Sequence, residues 1–309
     1  MLVNERAGSA ELDRLAGALQ PPCQLGDFTL EGLIARTSTA LVFIARDSHG
    51  ADCVLKITGS SYRPVLEREL SLLNACRDAD LRGVIRPLRT DLLHIENDEV
   101  PQATAIVLPF LAGGDLVLWI GAYATRTGRL GAAPALQVGE LVGGILRDLL
   151  RLPQPIVQGD VKPQNVLLPR PDAPLNELLL IDFDASCALD SPISASPQVA
   201  RQVVGDVNAF GELLFMVATG REPPVDEDPN PATGNTAFDA LVERCITAEP
   251  ATKGYASMAG DSLWRDMEQA ARIERRHSRE VLIRPVLGVL GLLLFCVLVV
   301  AVLVKLAMP

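Results

Sequence analysis

Cysteine is present in this chain but never in a useful pattern. Cys23, Cys53, Cys76, Cys187, Cys245 and Cys296 contain no Cys-x-x-Cys pair. That spacing excludes a zinc ribbon or finger and gives no disulfide framework; reduced core thiols in a cytosolic domain are the expectation. Excess basic charge is also missing. Lys and Arg total 28 against 38 Asp and Glu, a net charge of −10, which argues against nucleic acid as a partner. A secretory leader is not expected either, because Glu5, Arg6, Glu11, Asp13 and Arg14 interrupt the first 19 residues. Long uncharged apolar runs are absent until the C-terminal end. There, 286–304 reads VLGVLGLLLFCVLVVAVLV, 19 residues without a charge, about 29 Å as a helix. Arg272, Arg275, Arg276, Arg279 and Arg284 precede it and only Lys305 follows. This bias predicts a single-pass C-terminal anchor with the body of the chain in the cytoplasm.

Hydrophobic residues make up 49% of the 309 residues, enough for a sizeable core in one or two domains. FTLEGLIA and ALVFIARD, separated by RTST, read as a hairpin, and ADCVLKI as a third strand. RPVLERELSLLNACRD has helical spacing. GVIRPL and AIVLPFL read as two further strands; 116–152 reads as helix with a break near 128–134, and 258–284 as a final helix.

The stretch 156–168, IVQGDVKPQNVLL, sets a polar loop between apolar flanks. Asp160, Lys162 and Asn165 lie within six residues of one another. A carboxylate can orient and deprotonate a hydroxyl, an ammonium can neutralise a migrating phosphoryl group, and an amide oxygen can bind a metal. LLLIDFD then places Asp182 at the end of another apolar strand, as a second metal-ligand candidate.

Asp160-x-Lys162-Pro163-x-Asn165 followed by Asp182-Phe183 resembles the protein kinase family, on its serine/threonine side. A second block, 206–211 (DVNAFG) followed by ELLFMVATGREPP, is similar to the family's central helix. The neighbours depart from the pattern: Gln158-Gly159 replaces His-Arg, and Asp184 replaces the glycine after Asp-Phe. The resemblance implies a bilobal α+β fold, with a small β-rich lobe carrying one helix, a larger mostly α-helical lobe, and ATP between them. The resemblance covers a kinase-like domain over 27–262 (lobes 27–112 and 113–262); around it the residues read as an N-terminal extension over 1–26, a basic juxtamembrane segment over 263–285, the transmembrane helix over 286–304 and a tail over 305–309.

By the same resemblance, Asp160 orients the acceptor hydroxyl and Lys162 steadies the transferred phosphoryl group. Asn165 and Asp182 hold Mg2+, with Mn2+ as an alternative. Lys56 pairs with the ATP phosphates and with a helix glutamate, Glu69 or, alternatively, Glu67. Ala35, Thr37 and Ala40 stand at the three positions where the family has phosphate-approaching glycines, a loss that predicts poor nucleotide affinity. Leu108 falls beside the adenine, and Leu111 supplies a hinge amide. Asp206 either caps the central helix or ties down the catalytic loop. Gly159 removes the arginine that would read a phosphorylated activation segment. Ser196-Pro197-Gln198 and Pro250-Ala251-Thr252-Lys253 stand where the family has an ion-paired Glu and Arg. The expected function is a membrane-anchored serine/threonine protein kinase acting on an unidentified protein substrate. The alternative weighed is a pseudokinase serving as a tethered scaffold; a small-molecule kinase fits the Lys162-Pro163 pair and the 206–211 block poorly.

Overall fold

The computed structural model describes residues 5–95, 102–190, 197–225, 228–250, 257, 258 and 260–277. It opens with helix α1 (Glu5–Ala18), followed by strands β1 (Cys23–Leu25), β2 (Phe28–Arg36), β3 (Leu41–Arg46) and β4 (Asp52–Thr58). Helix α2 (Arg63–Asp78) follows, then β5 (Leu93–His94) and β6 (Thr104–Pro109). These six strands form one antiparallel sheet in the order β1-β2-β3-β4-β6-β5. Period-two patterning builds it: Leu41, Phe43 and Ala45 of β3 are buried, while Val42 and Ile44 between them are only half-buried.

The second lobe is helical. Helices α3 (Leu116–Thr127), α4 (Ala132–Leu149), α5 (Pro197–Thr219) and α6 (Thr236–Ile246) carry it, with a further helix, α7, over 261–277. Asp115 caps α3 by accepting from the Leu118 amide, and Gly128 ends it in the left-handed conformation. Between α4 and α5 the chain makes four two-residue strands. β7 (Ile156–Val157) pairs with β10 (Cys187–Ala188), and β8 (Val166–Leu167) pairs with β9 (Leu179–Leu180). Apolar stripes on α4 (Val138, Val142, Leu146, Leu149) and α5 (Val203, Val207, Phe210, Leu214) are fully buried. Each such side chain contributes about 1.5–3 kcal/mol of burial. The core of this lobe sits directly beneath the four short strands.

The expected bilobal α+β architecture is therefore the one found, with local differences. GVIRPL is not a strand: Gly83 turns the chain at φ 79°, and Pro87 has no amide to give to a ladder. The segment instead bridges the lobes, because Val84 pairs with Leu180 and the Leu180 amide donates to Gly83 O at 2.7 Å. Residues 1–26, expected as an extension, contribute α1 and β1 to the small lobe, with Leu12, Leu15 and Leu19 buried in its core. Helix α7 buries Leu263, Met267 and Ala270 in the core of the large lobe, so the expected linker over 263–285 begins as part of that lobe. The apolar run at 286–304 lies outside the described residues. Among the described residues no helix is long and apolar enough to cross a membrane.

Candidate active site

Helix α2 turns Leu66, Leu70 and Leu73 into the core, and Glu69 lies on that inward face. Glu67 lies on the other side and pairs with Arg63 at 2.8 Å. The structure thus chooses between the two glutamates on helical periodicity alone. Lys56, on β4, is 4% exposed and Glu69 only 1%. Lys56 Nζ donates to Glu69 Oε1 at 3.0 Å and to Asp182 Oδ1 at 2.7 Å. Burial alone would push the Lys56 ammonium downward; the carboxylates of Glu69, Asp182 and Asp184 outweigh it and hold the pKa well above the usual lysine value. Burial raises Glu69, against the pull of Lys56.

Asp182 has φ 60°, a conformation that side chains rarely adopt. Its successor holds it there: Phe183 is fully buried, and its amide donates to Glu69 Oε1 at 3.2 Å. One glutamate therefore fixes both the lysine and the segment that carries Asp182.

The loop after β7 presents the second cluster. Asp160 Oδ2 accepts from Lys162 Nζ at 2.6 Å and from Asn165 Nδ2 at 2.9 Å. Asn165 Nδ2 also donates to Asp160 O at 2.9 Å. A single 3-10 turn, Pro163–Asn165, brings Asn165 back toward Asp160. The Ile181 amide donates to Asn165 O at 2.9 Å, laying the approach to Asp182 alongside this loop.

Gln158 joins the two clusters, a role that its pattern in the chain did not reveal beyond a departure from histidine. Its side chain is fully buried. Gln158 Oε1 accepts from the Asp160 amide at 2.6 Å, while Nε2 donates to Asp182 O at 2.9 Å. The readable signal was an amide side chain next to the buried pair Ile156-Val157, where an unpaired polar group would be costly.

Asp206 supports the loop from beneath. It sits within α5, not at its start, so it is no helix cap. Its carboxylate accepts from the Gln158 amide at 2.9 Å and the Gly159 amide at 2.8 Å. Burial pushes its pKa up to about 6, and these two bonds pull against that rise. Gly159 has φ 83°, and a Cβ there would stand 2.7 Å from Ala185 O. An arginine at 159 would strain this backbone, so the missing arginine and the local geometry agree.

The hairpin between β2 and β3 is self-contained. The amides of Thr39 and Ala40 donate to Thr37 Oγ1 at 3.2 and 3.0 Å, and the Thr37 amide donates to Ala40 O at 2.9 Å. Thr58 Oγ1 donates to Thr39 O at 2.6 Å. The tip is tied across to the segment after Phe183: Thr39 Oγ1 donates to Asp184 Oδ2 at 3.1 Å, and Arg68 Nη2 to Asp184 O at 2.6 Å. Ala35 is exposed on β2 and Ala40 is buried. Leu108 is buried on β6 opposite Val54, and Leu111 packs half-buried against the large-lobe core. Just after it, the amides of Ala112 and Gly113 donate to Pro169 O and Leu168 O, fixing the link between the lobes. Ser196 and Lys253 lie outside the described residues.

No protein-family model and no curated protein matches the sequence. Among solved structures the fold is similar to the BubR1 kinase domain, with a TM-score of 0.59 over 90% of this chain and 96% of that chain, at 14% identity. It is similar also to a mutant form of the Mycobacterium tuberculosis PknI kinase domain, with a TM-score of 0.58 over 82% of this chain and 99% of that chain, at 16% identity. The chain has the protein kinase fold. Within the kinase fold, Lys56 and Glu69 stand in the β-rich lobe, and Asp160, Asn165 and Asp182 in the helical lobe. Lys56 to Asp182 is the direct ion pair that ties one set to the other.

Proposed function

We propose that this protein is a membrane-anchored serine/threonine protein kinase that transfers the γ-phosphate of ATP to a protein hydroxyl. One observation carries the reading: Lys56, Glu69 and Asp182 form one ion-paired set, Asp160, Lys162 and Asn165 form another, and Gln158 joins them. All the charged groups that phosphoryl transfer uses are held by hydrogen bonds within one connected unit.

The donor set suits a magnesium–nucleotide complex. Asn165 uses its Nδ2 on Asp160, which leaves the Oδ1 to a cation, and Asp182 offers a carboxylate. Two oxygen donors, completed by phosphate and water, are what Mg2+ takes at such sites; Mn2+ has the same preference for oxygen. When bound, the ion neutralises charge between the phosphates. Lys56 sits where it can hold the inner phosphates, kept charged by Glu69. Asp160, with 34% of its side chain exposed, accepts the hydroxyl proton as the oxygen attacks phosphorus. Lys162, close by at 2.6 Å, balances charge on the transferred group.

The pairing of Lys162 with Asp160 supports a serine or threonine acceptor. The apolar run at 286–304 with its arginine-rich lead supports a C-terminal membrane anchor and a cytoplasmic kinase-like domain. Detergent extraction and protease protection test the anchor; digestion of the kinase-like region in sealed, right-side-out cells would refute that orientation.

A second reading, a pseudokinase scaffold, is favoured by the hairpin. Its Thr39 and Ala40 amides are already donated to Thr37, and Asp184 adds a carboxylate beside Lys56. Radiolabelled ATP with a generic protein substrate, with Mg2+ or Mn2+, run beside Asp160→Asn, separates the two. Label above the variant supports the enzyme; label no higher than the variant supports the scaffold.

A further inference from the structure

We infer that helix α1 is a built-in brace for α2, and that Glu11 is the positioning residue through which it acts on the Lys56–Glu69 pair. The inference rests on the reading of that pair as the nucleotide-positioning device.

The argument begins at the turn between β4 and α2. Lys56 stands two residues before the end of β4, and Glu69 lies in the second turn of α2. Only the turn 59–62 separates the strand from the helix, so its geometry sets where Glu69 arrives. Yet α2 does little to fix its own start. Tyr62, at its N-cap, makes no side-chain capping bond, and the first turn carries no acidic residue.

Glu11 supplies the restraint from outside. Its Oε1 accepts from the Ser60 amide and Ser60 Oγ, both at 2.8 Å, and its Oε2 accepts from the Ser61 amide at 2.9 Å. These bonds outweigh burial and hold the Glu11 carboxyl below its usual pKa. Two glycines permit the joint. A Cβ at Gly59 would run into the Glu11 carboxyl group, and a Cβ at Gly8 would stand 2.5 Å from the Tyr62 ring. Tyr62 is 7% exposed and shares a core with Leu12 and Leu15 of α1, Leu19 just after it, and Ile57 of β4. The helix therefore packs on the small-lobe sheet at β3, the neighbour of the strand that carries Lys56, and is bonded to the turn that launches Glu69.

Two acids of α1, on different sides of the helix, allow a test. Glu11 bonds to the β4–α2 turn, whereas Asp13 pairs with Arg36 on β2 at 2.7 Å. The experiment compares the full chain with Glu11→Ala, Glu11→Gln and Asp13→Asn, by amide hydrogen exchange across 60–73 and by steady-state kinetics in ATP. Glu11→Ala is expected to speed exchange in the first turns of α2 by about tenfold or more and to lower kcat by about tenfold. KM for ATP should move less than about threefold, because Asp182 still holds Lys56. Glu11→Gln, which keeps an acceptor oxygen, should recover part of both effects, and Asp13→Asn should match the unaltered chain. If Glu11→Ala does not fold, Ser60→Ala, which removes one of the bonds, takes its place with a smaller effect in the same direction. Unchanged exchange in α2 overturns the inference, as does an equal loss in Asp13→Asn. An unaltered chain that shows no turnover refutes the enzyme reading instead, and the exchange comparison still decides whether Glu11 braces α2.

Discussion

Thr39 Oγ1 donates to Asp184 Oδ2 over 3.1 Å, joining the tip of the first hairpin to the segment that follows Phe183 across 145 residues of chain. The family pattern has a glycine at the position of Asp184; here its carboxylate meets the hydroxyl of Thr39. The same carboxylate contributes to the field that keeps Lys56 charged. On the proposed kinase reading, Asp184 would compete with a nucleotide phosphate for Lys56 while tying down the hairpin tip.

Removing that carboxylate should help nucleotide binding. Asp184→Gly is expected to tighten binding of a fluorescent ATP analogue by about tenfold, ~1.4 kcal/mol. Thr39→Val, which unlatches the tip without changing charge, should give a smaller gain. An affinity that stays the same or weakens in Asp184→Gly would show that the contact supports the site instead.

Lys56→Met should destabilise the fold as well as abolish turnover. It leaves Glu69, 1% exposed, without its counter-charge. Breaking one side of a buried pair costs about 3–5 kcal/mol. Urea denaturation should show that loss, and Lys56→Met combined with Glu69→Gln should recover part of it. A Lys56→Met chain as stable as the parent would mean the pair is solvated.

Gln158→Leu keeps the volume and removes the bridge. The Asp160 amide and the Asp182 carbonyl would each lose a partner at a partly buried position, at up to about 1–3 kcal/mol apiece. Turnover should fall by at least about tenfold while nucleotide affinity changes less. Gln158→His, whose ring N–H can donate to the Asp182 carbonyl, should recover activity more than Gln158→Leu. Equal activity in both variants would remove Gln158 from the positioning network.

Asp206 should leave a mark on the pH dependence of stability. Its folded pKa is about 6, against an ordinary aspartate value of 3.8. Between those values the folded chain keeps a proton that the unfolded chain has released. Its contribution therefore declines as pH rises from about 4 to about 6, by about 3 kcal/mol in all. The stability difference between the parent and Asp206→Asn, measured by urea titration at several pH values, should shrink across that window. A constant difference would show that Asp206 is already ionised at pH 4.

Much of this was legible from local pattern. Alternating or continuous apolar runs marked the hairpin and β4; helical spacing marked α2 and α4; Asp160, Lys162, Asn165 and Asp182 stood out by residue type and spacing. Glu69 and Glu67 could not be separated by sequence, because the span from Lys56 is short and only the packed face of α2 decides. Gln158 and Asp184 read as defects, yet both make specific bonds. GVIRPL looked like a strand because apolar composition does not reveal which backbone groups have a partner.

The sequence by itself determined which side chains are available: the acids, the lysines, the amide, and the apolar stripes that bury one face of each element. Tertiary structure decided which of them meet. Lys56 to Asp182 and Thr39 to Asp184 each join positions more than a hundred residues apart, and α1 joins the small lobe only because its leucines find a core there. Local sequence sets a residue's chemistry and conformational preference, whereas contacts between distant segments depend on how complete elements pack against one another.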